Sequence, residues 1–194
     1  MKYTPTTIAE PLTKIDDIEK SMQLTSQELD GSTIVVYKKI DDKKLIYAAL
    51  RTKEGNYEIG QIGYEGASDY SINTIEVLGQ SYIKVTGSIG ANFPISDYVS
   101  LTTSPPTLLH LELNTIEADV DQDGIKEIVA TIGTAAETTI YKMDNNLLLS
   151  ANLNEIMNAN VVTYDTKSNN FQAEVTKGQL SNWKIENNQL HLVP

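Results

Sequence analysis

The sequence predicts an all-β protein assembled from sequential antiparallel hairpins, and three observations carry that reading. Short runs of β-branched and aromatic residues alternate with polar ones at a period of two. Gly, Asn and Asp pairs punctuate these runs at the spacing expected of hairpin turns. No long stretch sustains the 3.6-residue periodicity of a helix.

The chain of 194 residues is long enough to bury a sizeable core as one domain or two small ones. Hydrophobic residues at 40% and charged residues at 21% indicate neither a disordered chain nor a membrane protein. No apolar run approaches the roughly 20 residues of a membrane helix. A formal net charge of -11 opposes binding to nucleic acid, which needs a basic surface, and suits the attraction of cations. The absence of cysteine excludes disulfides, thiolate metal sites and thiol nucleophiles.

Residues 1–14 read as a linker, because Pro5, Pro11 and several threonines oppose regular structure. Ile15, Ile18 and Met22 recur at helical spacing behind Asp16 and Asp17, so one short helix fits there, as does an ordered polar arm. A single β-rich domain is expected over 15–194, with a candidate division into two subdomains near 104–107. Ser32 to Tyr37, Leu45 to Leu50 and Tyr57 to Tyr64 form the first strands, turning at Asp41-Asp42 and Gly55-Asn56. Thr74 to Leu78 and Ser81 to Gly87 flank Gly79-Gln80. Asn92-Phe93-Pro94 breaks the run before Tyr98 to Thr102, and Leu108 to Leu113 alternates cleanly. Further strands are expected over Glu127 to Ile132, Thr138 to Met143, Leu147 to Asn152, Val161 to Tyr164, Phe171 to Val175, Trp183 to Glu186 and Gln189 to Val193. Asn154 to Asn160 has the length of a single helical turn. Roughly fourteen short strands in this pattern are compatible with propeller-like blades, a sandwich or a barrel.

One stretch carries sharp chemistry. Asp119-Val120-Asp121-Gln122-Asp123-Gly124-Ile125-Lys126-Glu127 places carboxylates at positions one, three, five and nine, with glycine at six, and runs into the strand from Ile128. Calcium takes six to eight oxygens at about 2.3–2.6 Å, and a tight loop aims alternate side chains at one centre. Asp119, Asp121 and Asp123 would each supply an oxygen, Ile125 its backbone carbonyl with its side chain turned to the core, and Glu127 the closing carboxylate. Gly124 would take the bend that a side chain hinders. Without a cation, four carboxylates so close repel one another, which raises their pKa values or loosens the loop. An EF-hand needs an acid at position twelve between two helices. Position twelve here is Ala130 on an expected strand.

Residues 119–144 resemble the calcium loops of FG-GAP and VCBS-type repeats, found in the integrin α-subunit propeller. There an Asp-x-Asp-x-Asp-Gly-x-x-Asp/Glu loop joins two strands. The resemblance implies the same ligand set, Asp119, Asp121, Asp123, the Ile125 carbonyl and Glu127, with Ca2+ as the bound ion. The family usually carries several such loops where this chain has one. An affinity on the order of 10⁻⁴–10⁻³ M is expected, as in extracellular modules.

Other residues give less. His110 and His191 alternate with leucines on strands and read as polar-face residues rather than a zinc site. Gly60, Gly63 and Gly66 imitate a phosphate loop, but no helix follows them. Glu112 and Glu117 would be the carboxylate pair of a glycoside hydrolase, although exposed acids account for them better. Tyr37, Tyr47, Tyr57, Tyr64, Tyr82 and Tyr98 fall on strands, where cross-strand packing is the expected role.

The functional expectation is a non-enzymatic, calcium-binding β module of an exported or cell-surface bacterial protein, binding a protein or glycan partner or serving as scaffold. A signal segment upstream of residue 1 is expected in preference to a cytosolic chain, and a lipid anchor there is left open. The alternatives are a glycan-acting hydrolase with a structural calcium and an inhibitor or regulator of a protein partner.

Overall fold

The backbone hydrogen bonds of the described residues go almost entirely into antiparallel ladders. The computed structural model describes residues 1–16, 18, 21–29, 31–65, 69–91, 93–133 and 135–193. An arm comes first, with three short strands: β1 (Thr4–Pro5), β2 (Ala9–Pro11) and β3 (Thr13–Ile15). Four consecutive meanders of four strands follow. They are β4 (Met22–Leu29), β5 (Ser32–Lys38), β6 (Leu45–Thr52) and β7 (Gly55–Tyr64); then β8 (Ser71–Val77), β9 (Gln80–Gly90), β10 (Phe93–Ser100) and β11 (Thr107–Leu111). Next come β12 (Asn114–Ala118), β13 (Glu127–Ile132), β14 (Glu137–Asp144) and β15 (Leu147–Asn152). A short helix, α1 (Leu153–Met157), leads to β16 (Val162–Asp165), β17 (Asn170–Thr176), β18 (Gln179–Glu186) and β19 (Gln189–Val193).

Within each meander sequential strands are neighbours, and no sheet of the described residues closes on itself. The arm pairs in reverse order with the last strand of three meanders. β3 joins β7, β2 joins β11 and β1 joins β15. The expectation of an all-β, antiparallel fold is met.

The chain divides into two compact units. One comprises Ile8–Ile75 and Ser81–Glu112; the other comprises Met1–Thr7, Glu76–Gln80 and Leu113–Pro194. In the first, β5 reads Ile34-Val35-Val36-Tyr37 because both its faces are covered. Ile34 and Val36 join a core with Ile46, Leu50, Ile83 and Val99, while Val35 and Tyr37 pack with Ile18 and Ala49 on the other side. Each such fully buried aliphatic side chain contributes about 1.5–3 kcal/mol. In the second unit Val129, Ile140, Val162, Phe171 and Ile185 form the core, and Leu153 anchors α1 in it. Asn152 caps α1 by accepting from the Glu155 N–H, and Asn158 ends it in the left-handed conformation.

Several expectations are corrected. The linker over 1–14 contains β1 and β2 and the start of β3, formed by backbone pairing to sheet edges rather than by an apolar pattern. The short helix considered for 15–22 falls partly outside the described residues, and Ile18, described within it, has 3₁₀-helical conformation. Ile15 ends β3 and Met22 begins β4, while Asp17, Glu19 and Lys20 lie outside the described residues. A short α-helix occurs at Leu153–Met157, close to the single turn expected over 154–160. Pro94 does not end a strand. It sits inside β10 at a register shift beside Phe93, where a missing ladder N–H is tolerated. Gly66 lies outside the described residues. No helix of the described residues is long and apolar enough to cross a membrane.

Candidate metal centre

The loop from β12 to β13 begins and ends on paired strands. Ala118 lies opposite Glu127 at the end of the ladder, so residues 119–126 must reverse within a few ångströms. Two left-handed residues make the reversal, Gln122 at φ 63° and Gly124 at φ 90°. Glycine takes the second at no steric cost, and Gln122 takes the first against its preference.

Local hydrogen bonds then fix the carboxylates. Asp119 accepts from the Gly124 N–H through Oδ2 at 3.0 Å, and Asp123 accepts from the Ile125 N–H through Oδ1 at 2.7 Å. Glu127 occupies the first position of β13 with the same orientation as core Val129 and is only 2% exposed. Its Oε2 accepts from the N–H of buried Val120 at 3.0 Å, which ties the two ends of the loop together. One carboxylate oxygen from each of Asp119, Asp121 and Glu127 lies within 4.8 Å of the other two. That spread is the diameter of a shell whose ligands stand about 2.4 Å from a central ion.

The electrostatics match the crowding. Burial, reinforced by Asp121, Asp123 and Asp119 and opposed by the Val120 N–H, pushes the Glu127 carboxyl up to about 7. Asp121 is also raised, by burial and then by Asp123, against the pull of Lys142. Lys142 Nζ stands 4.0 Å from Asp121 Oδ2, and the Asp121 side chain is 10% exposed. Asp119 Oδ1 and Asp121 Oδ1 are buried and have no hydrogen-bond partner among the described residues. Buried carboxylate oxygens without donors are costly. A hard divalent cation answers that cost, and an all-oxygen donor set suits calcium or magnesium rather than zinc. The residues present therefore fit such an ion.

Of the sequence-derived set, Asp119, Asp121 and Glu127 are brought together. Asp123 is outside that group of three and serves as a turn acceptor whose charge still reaches Asp121 and Glu127. The Ile125 side chain, expected in the core, is 44% exposed. It follows the Gly124 bend and lies toward Gly79, while Val120 takes the buried position instead. Sequence reading missed five neighbours. Leu78, beside that glycine, donates its N–H to the Lys126 carbonyl at 2.8 Å. Asn169 Nδ2 donates to the Asp119 carbonyl at 3.4 Å, and Tyr164 donates its hydroxyl to Asn169. Lys142 faces Asp121, and the ring of Tyr3 lies 4.4 Å from the Lys142 ammonium. None has a local sequence signal, because each arrives from a different strand or turn.

Elsewhere, His110 is more than a polar-face residue. Its Nδ1 is 2.6 Å from Oδ1 of Asp97, a carboxylate 1% exposed. Glu112 falls in one unit and Glu117 in the other. Tyr37, Tyr57, Tyr82 and Tyr98 are buried, and Tyr37 stacks on Tyr47 at 5.8 Å between centroids. Comparison of the chain with known protein families, with curated proteins and with solved structures finds no match in any of the three.

Proposed function

We propose that the chain is a calcium-binding, non-enzymatic β module that serves in binding or scaffolding within an exported or cell-surface bacterial protein. The observation that carries the calcium is the pair of buried, donorless oxygens, Asp119 Oδ1 and Asp121 Oδ1, gathered with Glu127. Asp119, Asp121 and Glu127 are the side-chain ligands in this reading, Ile125 adds its carbonyl, and Asp123 holds the turn and adds charge. Calcium neutralises the mutual repulsion of the carboxylates and so stabilises the strand pair β12–β13. The likeness to FG-GAP and VCBS repeats is part of the proposal. It is supported by a loop that joins consecutive antiparallel strands and by meanders of four strands, the number in a propeller blade.

Thermal melting with calcium and with chelator tests the reading. Calcium at ten times its dissociation constant adds about 1.4 kcal/mol, which for a chain of this size raises Tm by roughly 3–6 °C. Chelator should reverse the rise. Identical melts in both conditions overturn the proposal.

A further inference from the structure

Tyr3 has a hydroxyl that nothing described so far uses. The arm is held beside β15 by Thr4 opposite Ser150, Pro5 opposite Leu149, and the Thr6 N–H donating to the Leu148 carbonyl at 2.9 Å. This places the Tyr3 ring over Lys142, whose ammonium in turn stands 4.0 Å from Asp121 Oδ2. The Tyr3 hydroxyl oxygen is buried and has no hydrogen-bond partner among the described residues. Packing and the contact with Lys142 need only the ring, so phenylalanine would serve them without an orphaned polar group. The phenol also lies in the field of the acidic loop. Its ionisation is suppressed by burial and then by the charges of Glu127, Asp121 and Asp123.

We propose that Tyr3 is a further member of the calcium site, contributed by the arm and not by the loop. Its hydroxyl bonds to a water in the cation's shell, so that calcium binding and docking of residues 1–7 on β15 are coupled. The inference rests on the calcium reading above. A water is the bridge because the hydroxyl makes no direct bond to the carboxylates, and calcium retains waters where protein oxygens are too few. Coupling is reciprocal. Whatever factor the hydroxyl adds to calcium affinity, calcium adds to the closure of the arm.

The test compares wild type with Tyr3→Phe, using calcium itself as the probe. The variant keeps the ring over Lys142 and loses only the oxygen. Its calcium dissociation constant should rise about fivefold, the value of one ordinary hydrogen bond. Its melting in chelator should be unchanged or slightly higher, which a merely structural tyrosine would not give. In wild type, calcium should slow amide exchange at Thr6 by a similar factor, and in Tyr3→Phe it should not. Wild type that binds calcium while Tyr3→Phe binds it equally well, with Thr6 exchange indifferent to calcium, overturns this inference and leaves the calcium site standing. Wild type that binds no calcium overturns both. Should Tyr3→Phe fold poorly, Thr6 exchange in the wild type decides the matter.

Discussion

Replacing Glu127 with glutamine should stabilise the calcium-free protein and abolish its response to calcium. The carboxyl is 2% exposed and is pushed from 4.5 up to about 7 by burial first, then by Asp121, Asp123 and Asp119. The folded chain therefore holds this proton more tightly than the unfolded chain does. The stability that protonation brings is complete below about 4.5 and is lost as pH rises through about 7. Fully ionised, the buried carboxylate costs about 3 kcal/mol. Part of the repulsion is screened, because Asp123 is exposed and Asp119 and Asp121 are not fully buried, so about 2 kcal/mol is the expected effect at pH 8. Glutamine has the same shape and no charge. Its carbonyl can accept from the Val120 N–H, and its amide can donate toward the donorless oxygens of Asp119 and Asp121. In chelator at pH 8, Glu127→Gln should melt roughly 4–8 °C above wild type, and at pH 4 the two should nearly coincide. In calcium the order should narrow or reverse, because only wild type gains. A variant less stable than wild type in chelator at pH 8, or one that keeps the calcium shift, would mean that Glu127 is neither a costly buried charge nor a ligand.

Two further outcomes follow from the other unit. Asp97 is raised by burial against the attraction of His110, and His110 is raised mainly by its hydrogen bond to Asp97, with Glu112 adding to it. Their ion pair is therefore complete below pH 6.5 for as long as Asp97 stays ionised, and it fades as pH rises through the raised histidine value. Asp97→Asn should remove that loss, and parallel urea melts of wild type and variant at pH 6 and pH 8 would contradict it. Gly87→Ala should cost about 3 kcal/mol, at the upper end for overpacking, because a Cβ there would stand 2.0 Å from the Ile62 carbonyl oxygen. Urea unfolding measures it, and a neutral result would mean that β7 and β9, which belong to different sheets, part there at little cost.

The strands legible in the sequence were those with a buried face. β5, β6 and β13 announce themselves through Ile34-Val35-Val36, Ile46 to Leu50 and Ile128-Val129-Ala130, because burial selects apolar side chains. The arm strands and β4, Met22–Leu29, were illegible for the opposite reason. Nearly every residue in them is exposed, and what holds them is backbone pairing to an edge, which leaves no side-chain pattern. β12, Asn114–Ala118, has only Ile116 and Ala118 as apolar residues and was likewise hidden. In the candidate site, acid spacing brought Asp119, Asp121 and Glu127 into view, since alternate positions in a tight loop converge on one centre. Spacing could not reveal that the Asp123 side chain turns back to its own loop, or that Ile125 faces outward. Nor could it reveal Tyr3, Lys142 and Asn169, which reach the loop from more than ten residues away.

The decisive measurement is calorimetric titration of the chelator-stripped protein with calcium, at a protein concentration near the dissociation constant. One ion per chain at a dissociation constant on the order of 10⁻⁴–10⁻³ M, with binding lost in Glu127→Gln, is the predicted result. No heat beyond dilution, or binding that survives Glu127→Gln unchanged, would contradict the assignment of the Asp119–Glu127 loop as a calcium site.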